Sequence, residues 1–280
     1  MQVRCPKGNA MSRIEEALEK AAKMRSESTS PVKIEKTAPQ IHLPPPLTTT
    51  GITVTNSLLV AVNDPHTQAA EEYSKLKSII VKMTKAGSFL NMLMVTSSIG
   101  GEGKSLTSLN LALSMAQEFD HTVLLVDADI RKPSIHTYLG IENSAGLTDC
   151  LFGEADVKDA LVRTGIGKLS FLSAGRNVPN PAEVFTSQRM RDFFMEIKNR
   201  YHDRYIIIDT PPVLPFAETR SLSAIVDGIV LVAKEGHVTL HNIRETMECI
   251  KGTPMLGIVY NEAASDFQYE GYKYYREGTA

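Results

Sequence analysis

Six short apolar runs recur along the chain, at residues 93–95, 123–126, 169–172, 205–208, 229–232 and 256–259, with helix-like segments between them. The runs are nearly continuous in Val, Ile and Leu rather than alternating with polar residues, the pattern of strands covered on both faces. Strands alternating with helices predict an α/β fold, a Rossmann-like, mainly parallel sheet with helices on both faces. In such sheets ligands bind beyond the C-terminal ends of the strands, where strand order reverses.

Upstream the period is helical. Past Asp64-Pro65, residues 67–85 read as a helix carrying Tyr73, Leu76, Ile79, Ile80 and Met83 on one side. Earlier still, Ile14, Ala17, Leu18, Ala21 and Ala22 recur at helical spacing behind Ser12 and Glu15, an N-cap and its capping-box partner. Residues 26–50 are rich in Pro, Ser, Thr and Lys and include Pro44-Pro45-Pro46, a composition that cannot bury enough apolar surface to fold. The expected organisation is an amphipathic helix at 1–25, a linker at 26–63, a catalytic domain at 64–262 and a tail at 263–280.

Composition narrows the function. The 280 residues are 42% hydrophobic, enough for one substantial core, and carry a formal net charge of -2 without long single-sign blocks. A general nucleic-acid binder would need a basic footprint, so nucleic acid is not an expected partner. The longest apolar runs, such as 58–62 and 229–233, fall far short of the roughly 18–20 residues that span a bilayer. There is no signal-peptide pattern at the N-terminus, and Cys5, Cys150 and Cys249 are scattered like reduced thiols, so a cytoplasmic location is expected.

The chemistry begins after the first run, where Thr96-Ser97-Ser98-Ile99-Gly100-Gly101-Glu102-Gly103-Lys104-Ser105 opens a helix. Glycines let backbone N–H groups curl around phosphate oxygens. Lys104 can reach the β- and γ-phosphates, and the Ser105 hydroxyl can ligate Mg²⁺. The pattern G-x-x-x-x-G-K-S/T is departed from at its first position, Ser98. A P-loop NTPase that binds ATP and Mg²⁺ is therefore expected. The second run ends in Asp127-Ala128-Asp129-Ile130-Arg131 and a later one in Asp209-Thr210-Pro211-Pro212. Carboxylates at strand tips beside a phosphate loop are candidates for metal ligand and general base. Taken alone each could simply cap a turn.

A P-loop followed by Asp127-x-Asp129-x-Arg131 and then Asp209-x-Pro211 resembles the bacterial tyrosine kinases of exopolysaccharide systems. The resemblance runs from about residue 64 to the C-terminus and includes Gly146-Leu147-Thr148-Asp149, Gly175, Pro179-Asn180-Pro181-Ala182-Glu183 and the strand 257–261. It implies that Lys104, Asp127, Asp129 and Asp209 carry phosphoryl transfer. It also implies that Ser105, Asp127 and Asp209 hold the metal, and that Gly100, Gly101, Glu102, Gly103, Lys104, Ser105, Leu106, Arg131 and Asn261 contact the nucleotide. Spacing leaves open which of Asp127 and Asp129 takes the tyrosine proton.

The acceptor is expected in the tail, where Tyr269, Tyr272, Tyr274 and Tyr275 lie among Gly, Gln, Lys and Glu without core periodicity. The 14 residues from Asn261 to Tyr275 (275 − 261) extend at most about 50 Å, so the tail can reach its own site or a neighbour's. Each phosphate would add about -1.5 to -2 charges. In the family, E-x-x-R-x-x-R on the helix before the first strand helps to build a ring of subunits. Here those positions are Glu71, Ser74 and Lys77, and Lys lacks the bidentate fork of Arg, so a homo-oligomer is implied only without that clasp. Residues 11–18 are similar to the stand-alone autokinases of exosortase-linked loci. That likeness implies a membrane chain-length determinant, a polysaccharide co-polymerase, as activator, with recruitment to the inner face of the plasma membrane. The rival reading, a MinD/ParA-type positioning ATPase, would place a second lysine where Ile99 stands and would need no tyrosine tail.

Overall fold

The computed structural model describes residues 52, 54–87, 89–118, 120–200 and 203–264. The helix expected at 12–24, the linker at 26–50 and the tyrosine cluster lie outside them. All six expected strands form: β1 Met92–Ser97, β2 Thr122–Asp127, β4 Leu169–Leu172, β5 Arg204–Asp209, β6 Gly228–Lys234 and β7 Met255–Asn261. A further strand, β3 Leu161–Arg163, pairs antiparallel with β4 at the sheet edge. It is three residues long, too short for its own periodicity to show.

Sheet order is β3-β4-β2-β5-β1-β6-β7, parallel apart from β3. The chain leaves β1 towards β2 on one side and returns to β6 and β7 on the other, so β1 lies at the reversal of strand order. Alternate residues of each central strand enter opposite cores. Met92, Met94, Leu124, Val126, Ile206 and Ile208 face one, and Leu93, Val95, Val123, Leu125, Tyr205 and Ile207 face the other. Both faces are dry, which is why the runs read as continuous. Each fully buried Leu or Ile contributes about 1.5–3 kcal/mol.

Helices cover both faces. α1 is Val60–Asn63, and α2, Gln68–Thr84, starts at Thr67, whose hydroxyl accepts the Ala70 N–H at 3.2 Å. α3, Lys104–Ala116, fills the layer over β1 and is buried along almost its whole length. Asn110 on α3 staples the preceding segment to the domain, its Oδ1 accepting from Ala61 N and its Nδ2 donating to the Leu58 and Leu106 carbonyls. Leu59 is fully buried, so residues 58–63, within the stretch expected as linker, pack on the domain.

The expected apolar face of α2 divides. Ile80, Ala70 and Thr84 are buried, and Thr84 Oγ1 lies 2.7 Å from Tyr205 OH, whereas Ile79 is 56% and Met83 41% exposed. At about 100° per residue, Ile79 and Met83 sit at the rim of the stripe, beyond the arc that α3 covers. Lys77 is tied within the chain, 3.1 Å from Glu118 Oε1.

The other helices are α4 Ile135–Leu139, α5 Leu147–Phe152, α6 Val157–Ala160, α7 Pro181–Thr186, α8 Gln188–Arg200, α9 Ala217–Ser223 and α10 Leu240–Cys249. Gly146-Leu147-Thr148-Asp149 meets Gly175 at the start of α5. Asp149 Oδ2 accepts the Gly146 N–H at 2.8 Å, and Thr148 Oγ1 donates to the Ala174 and Arg176 carbonyls. Gly175 has φ +81°, and a Cβ there would lie 2.4 Å from Asp149 Oδ2. That motif locks the loop after β4 to α5.

Candidate active site

Strand order brings the acids together. Asp127, the last residue of β2, pairs in register with Asp209, the last of β5, and Val95 of β1 pairs with Asp209 on its other side. β1 runs directly into the glycine loop, so three adjacent strand tips face one space.

The loop is held from behind. Gly101 and Gly103 have φ of +85° and +89°, left-handed values that L side chains rarely adopt. A Cβ on Gly103 would lie 2.2 Å from Asn261 Nδ2, which donates to the Glu102 carbonyl at 2.9 Å. Asn261, at the end of β7, thus touches the loop. Ser98 replaces the usual first glycine at no backbone cost, since its φ is not positive, and its buried hydroxyl accepts from Thr246 Oγ1 at 2.9 Å. Glu102 turns its carboxylate inward, accepting the Ile99 N–H at 2.7 Å and lying 3.4 Å from Lys234 N. Its side chain is a strut of the loop, leaving only its backbone for a ligand. His237 Nε2 lies 2.9 Å from the Gly100 carbonyl, a contact without any sequence signal. Leu106, in the first turn of α3, is half-buried against the core.

At the first residue of α3, Lys104 Nζ lies 2.6 Å from Asp129 Oδ2, 3.8 Å from Asp209 Oδ2 and 3.2 Å from Ser105 Oγ. Burial alone would lower its pKa, but attraction to Asp209 and Asp129 outweighs that and raises it. Asp127 is fully buried. Its Oδ2 accepts the Ser134 and Ile135 N–H groups at 3.1 and 3.2 Å, and its Oδ1 accepts the Asp129 N–H at 3.2 Å. Burial and then repulsion from Asp209 push it up to about 8, against those N–H bonds and Lys104. Asp129 Oδ1 accepts the Lys132 N–H at 3.1 Å.

Asp209 is the anomaly. It is fully buried, and neither carboxylate oxygen has a hydrogen-bond partner. Burial raises its pKa, with Lys104 and the neighbouring Ser105 and Ser108 hydroxyls offsetting part of the effect. A buried carboxylate with no hydrogen bond, its countercharge Lys104 standing 3.8 Å away, costs several kcal/mol unless something else satisfies its oxygens. A hydrated divalent cation beside Ser105, Asp127 and Asp209 fits that need, because hard cations take oxygen ligands and keep their waters.

Arg131, expected at the nucleotide, is held within its own chain. Its Nε pairs with Glu218 in the first turn of α9, and its guanidinium stacks over Phe216 at 4.6 Å from the ring centroid. Glu218 lies nine positions beyond Asp209 (218 − 209) and had no signal in the sequence, being one glutamate in a short amphipathic stretch. Among the described residues no helix is long and apolar enough to cross a membrane, and no group of three or more His, Cys, Asp or Glu side chains is placed to hold a metal ion by itself.

Fold and site together define a P-loop nucleotide-binding α/β protein. Residues 88–274 match the ParA family model, described as NUBPL iron-transfer P-loop NTPase. Tyrosine-protein kinase YwqD of Bacillus subtilis (strain 168) is 32% identical over 221 residues, 77% of this chain and 92% of that one. Tyrosine-protein kinase CpsD of Streptococcus agalactiae is 34% identical over 195 residues, 69% and 83% of the two chains. Among solved structures, the kinase domain of Escherichia coli tyrosine kinase ETK superposes with a TM-score of 0.66 at 28% identity, over 75% of this chain and 84% of that one. The chimerical protein CapA2B2 gives 0.67 at 28% identity, over 73% and 89%. The chain belongs to the bacterial tyrosine-protein kinases, within the ParA-type P-loop NTPases. The septum site-determining protein MinD from Pyrococcus horikoshii OT3, with a TM-score of 0.53 at 22% identity, shares the fold alone.

Proposed function

We propose that the chain transfers the γ-phosphoryl group of ATP to tyrosine, that its own Tyr269, Tyr272, Tyr274 and Tyr275 are the first acceptors, and that this controls exopolysaccharide assembly. The convergence of Lys104, Asp127, Asp129 and Asp209 on adjoining strand tips beside the glycine loop carries the reading.

In this scheme the N–H groups of residues 100–105 and the Lys104 ammonium hold the phosphates. Ser105, Asp127 and Asp209 would hold Mg²⁺, which when bound neutralises charge on the triphosphate. The tyrosine hydroxyl gives its proton to one of the pair Asp127 and Asp129. Its oxygen bonds to the γ-phosphorus as the bond to the β–γ bridging oxygen breaks, and ADP leaves. Family membership and the tyrosine cluster support the acceptor assignment. A membrane chain-length determinant as activator, recruitment to the membrane face and a homo-oligomer extend the same reading.

The test is to incubate purified full-length chain with Mg-ATP, with and without the cytosolic segment of a chain-length determinant, and to map phosphosites by mass spectrometry. Phosphotyrosine within 269–275 is the expected result. ATP hydrolysis without phosphotyrosine would instead indicate a positioning ATPase.

A further inference from the structure

Two loops carry the acids of the site, one after β2 (residues 127–134) and one after β5 (209–216), and each has its own internal bracing. In the first, Asp127 and Asp129 accept the N–H groups of Lys132, Ser134 and Ile135. In the second, Thr219 Oγ1 donates to the Pro211 carbonyl at 3.0 Å, and Arg220 donates to the carbonyls of Val213 and Leu214. Backbone joins the loops at their roots, where the Ala128 N–H donates to the Asp209 carbonyl at 2.8 Å. Farther out, the Arg131 side chain spans from the first loop to Glu218 and Phe216.

The burial of this pair is lopsided. The Glu218 side chain is 1% exposed while that of Arg131 is 37% exposed. Removing Arg131 would leave the buried Glu218 carboxylate without its countercharge, so the pair is held from the Glu218 side. Phe216 beneath the guanidinium fixes its plane. Arg131 is two residues from Asp129, the acid that meets Lys104.

We propose that Glu218 and Arg131 form a latch that holds the loop bearing Asp127 and Asp129 in register with the loop bearing Asp209, making both positioning residues for phosphoryl transfer. Among the described residues no hydrogen bond or ion pair joins the latch to the glycine loop or to Lys104. Its loss should therefore loosen the acids while leaving phosphate capture by the P-loop in place. The proposal rests on the site being the phosphoryl-transfer centre.

The test compares full-length wild type with Glu218→Gln, Arg131→Met and Arg131→Lys. Three quantities are read: amide hydrogen exchange without ligand, ADP affinity without Mg²⁺, and the Mg²⁺ dependence of phosphotyrosine formation. In Glu218→Gln and Arg131→Met, exchange at Lys132, Ser134 and Ile135 should quicken at least about tenfold. The Mg²⁺ half-saturation should rise several-fold and kcat fall at least about tenfold, with ADP affinity within about twofold of wild type. Arg131→Lys keeps the charge without the planar stack and should recover part of each effect. Should a single variant fail to fold, Arg131→Met with Glu218→Leu replaces the pair with apolar atoms and should show the same split. Wild-type exchange and kcat in folded variants would overturn the latch, as would a loss of ADP affinity in step with kcat. Wild type that forms no phosphotyrosine in the same assay would overturn the kinase assignment of the site instead.

Discussion

Lys104 lies 2.6 Å from Asp129 and 3.8 Å from Asp209, so one ammonium is shared between an acid in the loop just past β2 and the last residue of β5. Its raised pKa reflects that attraction outweighing the cost of burial. Replacing Lys104 with Ala removes both a phosphate ligand and the countercharge of buried carboxylates. Phosphotyrosine should fall at least about 100-fold by mass spectrometry, with the circular dichroism of a folded chain. Because an uncompensated buried charge costs about 3–5 kcal/mol, the melting temperature should also fall by several degrees. Normal phosphotyrosine in this variant would refute the role of Lys104.

Gly103 and Asn261 form a second close relationship. In Gly103→Ala the new methyl group meets Asn261 Nδ2 at 2.2 Å on a backbone with φ +89°. Left-handed backbone alone costs about 1–2 kcal/mol for a residue with a Cβ. ATP affinity, followed by fluorescent-nucleotide titration, should drop about tenfold or more. Asn261→Ala, which frees the Glu102 carbonyl without straining the loop, should weaken binding by a smaller factor.

Changing Tyr269, Tyr272, Tyr274 and Tyr275 together to Phe should remove most autophosphorylation and leave ATP affinity unchanged. Full phosphate stoichiometry on other tyrosines would show that the tail is not the main acceptor.

Cys150 offers a check on the electrostatics of the α5 region. Burial, followed by the charges of Asp149 and Asp156, pushes its thiol from 9.0 up to about 11. A raised pKa leaves less thiolate at any pH below it, here roughly 100-fold less at pH 8. Alkylation of Cys150 by iodoacetamide should be correspondingly slow at pH 8 and quicken about tenfold per pH unit up to about 11. A plateau already reached at pH 9, by mass spectrometry of the Cys150 peptide, would contradict the arrangement.

Local pattern carried much of this protein. The six long strands, the α2 span and the glycine loop were legible because each is written in consecutive residues: continuous Val/Ile/Leu runs, a 3.6-residue period, and Gly-Lys-Ser between a strand and a helix. The strand-tip acids were legible as candidates for the same reason. Tertiary structure alone decided which of them meet. Asp127 and Asp209 are 82 positions apart (209 − 127) and became neighbours because β5 inserted between β1 and β2, an order set by collective burial of both sheet faces. The same holds for Arg131 and Glu218, for the inward turn of Glu102, and for Ile79 and Met83, apolar in pattern yet left outside the arc that α3 covers. A one-dimensional pattern states that a residue can be buried or charged. Which partner it finds depends on the packing of elements distant in the chain.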